Sequence, residues 1–170
     1  QKYFIEASIA STTVSSANVR EAKISMALNK AKDIGLKIAK DALSEDNKIK
    51  DTVISGSKGD FFNIAQTTGL LGQQNLHNAR PAPTLTNRKR TMIHYPHVII
   101  DNDQKYESGG FVQSSFIKGL NPKEMWFHAM TGREGMINTA METARSGYIQ
   151  RSFIKIAEDL KVAYDGTVRD

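Results

Sequence analysis

Residues 119–160 read GLNPKEMWFHAMTGREGMINTAMETARSGYIQRSFIKIAEDL, and the reading of this stretch decides the fold. Asn121 is placed to cap a helix, Pro122 suits the first helical position, and Glu124, three residues after the cap, can bond back to the cap's backbone. No proline follows between Pro122 and Glu158, so one helix is predicted over residues 122–158. At 1.5 Å per residue it would be roughly 55 Å long, whereas a compact chain of this size makes a globule about 40 Å across. A helix that outruns its own globule needs support from elsewhere. Gly132, Gly135 and Gly147 lie inside it and together cost roughly 3 kcal/mol relative to alanine, which points to close approach or bending. Its apolar stripe also changes face. Ile137, Met141, Ala144 and Tyr148 line up at helical spacing, while Ile149, Phe153, Ile156 and Leu160 form a second stripe about a third of a turn away. The change falls at Gly147, so the helix is expected to bridge different surroundings.

Outward from this helix, Lys161-Val162-Ala163-Tyr164, Asp165-Gly166 and Thr167-Val168-Arg169 read as the start of a hairpin with a two-residue turn. Upstream, residues 54–106 open on a Gly/Ser turn and continue as a short helix over about 61–71. Turn and extended signals follow, among them Arg80-Pro81-Ala82-Pro83 and the β-branched run Val98, Ile99, Ile100. The basic cluster Arg88, Lys89, Arg90 reads as surface. Ile24, Leu28, Ala31, Gly35, Ile38 and Ala42 alternate spacings of four and three, the seam of a two-helix coiled coil, with no evident partner in the chain. Residues 1–19 are rich in Ser, Thr and Ala and carry little periodicity. The fold class is mainly α with small β elements.

The composition is that of an ordinary soluble domain or part of one: 170 residues, 39% hydrophobic, 24% charged. No apolar run is long enough for a membrane span, and no signal peptide opens the chain. The absence of cysteine excludes disulfides and cysteine-ligated zinc. A net charge of +5 favours a polyanionic partner but is equally compatible with a basic surface that has none.

Several constellations have competing readings. Gly56-Ser57-Lys58-Gly59 lacks the earlier glycine and the following hydroxyl residue of a phosphate loop, and by itself reads as a turn. His77, His94, His97 and His128 fit no zinc spacing. Thr143, Ala144, Gly147, Tyr148 and Arg151 trace one helix face. Small residues there allow close approach of a base pair, Tyr148 can stack and Arg151 can meet a phosphate, though pattern alone suits core packing as well. Glu142 with Arg145 and Arg133 with Glu134 stand at helical spacings that usually mean solvated pairs, and exposed pairing is the reading for the first. No carboxylate cluster able to hold catalytic metal ions occurs, so no catalytic and no metal-binding residue is assigned.

The run GLNPKEMWFHAMTGREGMINTAMETARSGYIQR, with HAM, GREG, TA and SGYIQR in order, resembles the bridge helix of the largest subunit of multisubunit DNA-dependent RNA polymerases, in their nuclear, archaeal and large-DNA-virus form. SGSKGDFFNIAQTTGLLGQQN (residues 55–75) is similar to the segment lining that enzyme's funnel, YESGGFVQSSFIKGL (106–120) to the lead-in to the bridge helix, and LNKAKDIGLKIAKDAL (28–43), more weakly, to the second funnel helix. The resemblance divides the chain into a funnel-helix region (1–53), a funnel-lining segment and connector (54–120), the bridge helix (121–158) and the start of a hairpin (159–170). It implies a fragment of a larger subunit, with the partner of the funnel helix before residue 1. It implies that Thr143, Ala144, Gly147, Tyr148 and Arg151 face template DNA and that Lys58 faces the channel for incoming nucleotides. Gln73, Gln74, Asn75, His128, Gly132, Arg133, Glu134 and Gly135 would make contacts between funnel and bridge helix. For Arg133 and Glu134, flanked by Gly132 and Gly135, the resemblance implies buried contacts against neighbouring subunit surfaces. Implied partners are the template and RNA–DNA hybrid, ribonucleoside triphosphates, the second-largest subunit and a transcript-cleavage factor at the funnel, with no membrane. The enzyme's Mg²⁺ would be held by residues outside this chain, leaving the fragment inert. The compartment would be intracellular: nucleus or cytoplasm, or a viral factory or virion for a viral source. Thr131 stands where this family commonly has glycine, Ser152 where a second basic residue is usual, and Met92-Ile93 where leucine-proline is common. A stand-alone nucleic-acid-binding helical module and a structural coiled-coil protein are the alternative readings.

Overall fold

The computed structural model describes residues 2–13, 16–99 and 101–169. The element order is α1 (Lys2–Thr13), α2 (Ala17–Asp41), α3 (Lys48–Ile54), α4 (Phe61–Thr68), β1 (Gly72–Gln73), α5 (Asn102–Ser108), β2 (Phe111–Val112), α6 (Pro122–Ala157), β3 (Lys161–Val162) and β4 (Val168–Arg169). The protein is therefore mainly α with two small antiparallel β-ribbons, β1 with β2 and β3 with β4. It divides into two compact units, Gln1–Thr131 and Gly132–Asp170.

In the first unit, the apolar face of α2 is covered from within the chain. Ile24, Ala27 and Leu28 are buried with Phe4 and Ala7 of α1 and with Tyr106 and Phe111. Phe4 stacks at 5.1 Å on Tyr106 and meets Phe111 edge-on at 5.2 Å. Burying each of the larger side chains stabilises the unit by about 1.5–3 kcal/mol. The first half of the α2 seam thus has its partner in α1, a helix that residues 1–19 did not announce. The second half follows another course. At Gly35 an added Cβ would lie 3.0 Å from Leu70, so the missing side chain lets the segment after α4 approach, while Ile38 is 62% exposed.

Among the described residues, four helices begin on a capping side chain. Asn47 accepts from the N–H groups of Ile49 and Lys50, Asp60 from Asn63, Asp101 from Asp103 and Asn121 from Glu124. Helices α3 and α5 were not expected, and α4 ends three residues sooner than predicted, because Gly69 caps it with its N–H bonded to the carbonyl of Ala65. Val98 and Ile99 form no strand, and Ile100 lies outside the described residues. Arg88 and Lys89 are exposed, as read, but Arg90 turns inward to bond Thr86 and the carbonyls of Ile93 and Tyr95.

In the second unit, α6 continues to Ala157, within a residue of expectation. The hairpin after it pairs Lys161 with Arg169 and Val162 with Val168, and Ala163 bonds Thr167. Its loop is therefore Tyr164, Asp165 and Gly166, three residues instead of two. Gly166 takes φ +78° and its N–H returns to the carbonyl of Ala163, the turn-plus-glycine geometry of three-residue hairpins.

Candidate nucleic-acid interface

The site is built on α6, and its start is fixed by a reciprocal cap. Asn121 Oδ1 accepts from the Glu124 N–H at 2.9 Å, and Glu124 Oε2 accepts from the Asn121 N–H at 3.0 Å. The other carboxylate oxygen, Oε1, accepts from the backbone N–H groups of Gln113 and Ser114, just past β2, at 3.1 and 3.2 Å. Glu124 is only 7% exposed, and these bonds offset the cost of burying its charge. Sequence alone gives Glu124 the first role; the second is invisible until β2 is placed.

The β1–β2 ribbon pairs Gly72 with Val112 and Gln73 with Phe111, and it is extended by Leu71 N–H to Ser114 O and Gln74 N–H to Gly110 O. It brings the sequence-predicted residues Gln73, Gln74, Asn75 and His128 together. Gln74 is buried and its amide nitrogen donates to the carbonyl of Gly72, which leaves its Oε1 to accept from His128 Nδ1 at 3.3 Å. The His128 ring meets Phe116 edge-on at 5.5 Å. Gln73 donates to the carbonyls of Gln74 and Gly109, and among the described residues its buried Oε1 has no partner. Thr131 adds a contact that sequence reasoning missed: its hydroxyl donates to the carbonyl of Asn75 at 3.2 Å.

Further along α6, Thr143, Ala144, Gly147, Tyr148 and Arg151 are all exposed, Tyr148 to 73%. At 100° per residue their side chains fall within an arc of about 140°. Core packing within the chain, the competing reading of this face, is therefore not what these residues do. The Thr143 hydroxyl is satisfied on its own helix by the carbonyl of Thr139. Among the described residues a Cβ at Gly132, Gly135 or Gly147 would meet nothing within 4 Å, so no packing among them requires these glycines. Arg133 is exposed and Glu134 half-buried. Glu142 and Arg145 are exposed, and among the described residues no ion pair joins them.

Lys58 is exposed on a turn whose Gly56 and Gly59 have φ +69° and +76°. It lines a cavity of about 460 Å³ with Ile49, Val53, Ile64 and Ile117. The following helix starts on Asp60, whose carboxylate takes the place that a bound phosphate would need at that N-terminus, so the segment is not a phosphate loop. Among the described residues no three His, Cys, Asp or Glu side chains come together as metal ligands. No helix there is long and apolar enough to cross a membrane. Near the start of α6, burial, then the charges of Glu107 and Glu124, push the Tyr95 phenol up to about 12, and the Lys123 ammonium lies 4.7 Å over its ring. The Arg80 guanidinium, paired to Glu21, holds that carboxyl below its ordinary value.

Comparison with known proteins matches residues 5–112 to the family described as RNA polymerase Rpb1, domain 4, and residues 119–170 to that described as RNA polymerase Rpb1, domain 5. The chain is similar to a probable DNA-directed RNA polymerase II subunit RPB1 homolog of Invertebrate iridescent virus 6, at 53% identity over 89% of the chain and 16% of that protein. It is also similar to a putative DNA-directed RNA polymerase 008R of Frog virus 3 (isolate Goorha), at 48% identity over 86% of the chain and 12% of that protein. The chain spans less than two thirds of either relative's length.

Proposed function

Since the chain belongs to the Rpb1 family, as a segment of an RNA polymerase largest subunit of the large-DNA-virus type, we propose that α6 is the bridge helix of a transcribing enzyme and that α2 through β1 line its funnel. The observation that carries this reading is the exposed face of α6 around Gly147. It has small residues where a base pair would approach, an aromatic ring to stack, and a guanidinium to meet a phosphate, and among the described residues no element covers it.

In the assembled enzyme this face lies against template DNA at and just downstream of the reacting 3′ end. Lys58 presents a point charge to the triphosphates of incoming ribonucleotides. The side chains at Gln73, Gln74 and Asn75 meet the first turns of α6, and the Arg133/Glu134 region abuts neighbouring subunit surfaces. The funnel mouth is a place for a transcript-cleavage factor. Phosphoryl transfer itself uses Mg²⁺ to offset charge on the attacking and leaving oxygens. The described residues do not fit such a site, so the ligands belong to the remainder of the subunit, and this segment's work is to position template and admit substrate. For a virus of this kind the enzyme would act inside the infected cell.

In the intact polymerase, Tyr148→Ala is expected to slow elongation through lost stacking, which is worth about 1–3 kcal/mol per base. Because stacking is not a charge contact, lowering the salt should not restore the rate. Pause-free elongation measured at two salt concentrations checks this, and a wild-type rate would withdraw the template-face assignment.

A further inference from the structure

The polar lining of the cavity beside Lys58 is largely engaged already. Thr52, Thr67 and Thr68 each donate their hydroxyl to a carbonyl one turn back on their own helix, those of Lys48, Asn63 and Ile64. Asn47 and Asp60 accept the first N–H groups of α3 and α4. What remains is an apolar wall of Leu43, Ile49, Val53, Ile64 and Ile117, together with the Lys58 ammonium, which is exposed and joins no ion pair among the described residues. The site is also fixed in shape. The hydroxyls of Ser55 and Ser57 donate to the carbonyl of Thr52, tying the Lys58 turn to the end of α3, and the Ile117 N–H donates to the carbonyl of Thr67 on α4. At about 460 Å³ the cavity has the size of a small-molecule site.

We propose that this cavity binds a small amphiphilic monocarboxylate, of the chemical class of a medium-chain fatty acid, with its apolar body against the isoleucines and its carboxylate on Lys58. A polypeptide segment suits the cavity less well. Its backbone N–H and C=O groups would be buried where Asn47, Asp60 and the three threonines are already engaged, and unpaired backbone groups are costly. An apolar body has no such groups and gains with each CH₂ removed from water. Charge then selects the head group. The Asp60 carboxylate also lines the cavity, but it sits at the positive N-terminal end of α4, which offsets its charge, so the Lys58 ammonium is left to attract one negative charge. A dianion such as a phosphate monoester would be repelled by Asp60 once that single charge was met. The site requires neither template nor nucleotide, so it stands or falls apart from the reading of α6.

The test uses the intact polymerase and two photoreactive probes, decanoate and decanol, each carrying a diazirine near the end of its tail, with the labelled residues mapped by mass spectrometry. The decanoate probe is expected to label the cavity wall, within residues 43–68 and at 117, in a saturable way that unmodified decanoate competes. The ratio of half-saturating concentrations, alcohol over acid, is expected to fall about fivefold in Lys58→Met, the equivalent of one exposed ion pair, because that variant keeps the stem and removes the charge. Ile117→Glu places a like charge in the cavity wall and is expected to weaken decanoate by a similar factor and decanol by less. Both positions are exposed, so neither change threatens the fold. Absence of labelling at the cavity wall overturns the proposal, since the rest of the enzyme would then fill the space. A ratio unchanged in Lys58→Met overturns it too, because the surface would be apolar without an anion site, as does decanoate labelling indifferent to Ile117→Glu.

Discussion

At the scale of single residues, the decisive group is the Glu124 carboxylate, which accepts from three backbone N–H groups: Gln113, Ser114 and Asn121. Hydrogen bonds to a charged acceptor contribute more than neutral ones, and a buried donor left unpaired costs its full desolvation. Glu124→Ala is therefore expected to destabilise the first unit by about 3 kcal/mol, and Asn121→Ala, which removes only the Oδ1 acceptor of the Glu124 N–H and leaves all three bonds to the Glu124 carboxylate, by about 1 kcal/mol. Chemical denaturation of both variants checks the order. An equal loss in the two would mean that the three bonds to the Glu124 carboxylate together contribute no more than the single Asn121 side-chain cap. The same residue shows where sequence reading ends. The Asn-Pro-x-Glu signature reveals the bond from Glu124 to Asn121 because both ends lie within one turn. The bonds to Gln113 and Ser114 depend on a ribbon that closes across residues 72–112, and no local pattern encodes that closure.

At the scale of elements, α6 was legible almost to the residue because its signals are local and repeated: a cap, a proline at the first position and an uninterrupted helical period. Helices α3 and α5 have seven residues each, too short for two apolar repeats, so only their caps Asn47 and Asp101 betrayed them. The seam on α2 was visible as an apolar face, yet its cover was not, since α1 mixes apolar residues with Ser and Thr on every side. Gln74 and His128 were named together by resemblance alone, 54 positions apart; spacing could not have joined them. Gly147 separates what the helix prefers from what the proposed template face requires. An alanine there meets no atom within 4 Å in this chain and is expected to stabilise the helix by up to about 1 kcal/mol. In the polymerase the same methyl would crowd the template and stiffen the point where the apolar stripe changes face, so elongation is expected to slow. Helix stability by circular dichroism and elongation rate should move in opposite directions for Gly147→Ala. Faster or unchanged elongation would remove the glycine from the template-contact face.

At the scale of the whole molecule, the two units differ in how they are held. The first buries Phe4, Leu28, Leu71, Tyr106, Val112 and Phe127, whereas the second leaves Met136, Met141, Tyr148, Phe153, Ile156 and Val162 each more than half exposed. A helix whose apolar residues find no cover gains little beyond its backbone hydrogen bonds, and in water such helices are marginal. The three internal glycines lower that margin further. The rest of the subunit, which makes up most of the length of the relatives, and the other parts of the enzyme are what would supply the cover. It follows that in the isolated chain backbone amides over residues 133–157 should exchange with solvent orders of magnitude faster than those over 125–131. In the assembled polymerase the two stretches should be protected to similar degrees. Hydrogen exchange followed by mass spectrometry on both preparations measures this directly. Equal, strong protection along all of α6 in the isolated chain would show that the helix supports itself and that its uncovered faces need no larger assembly.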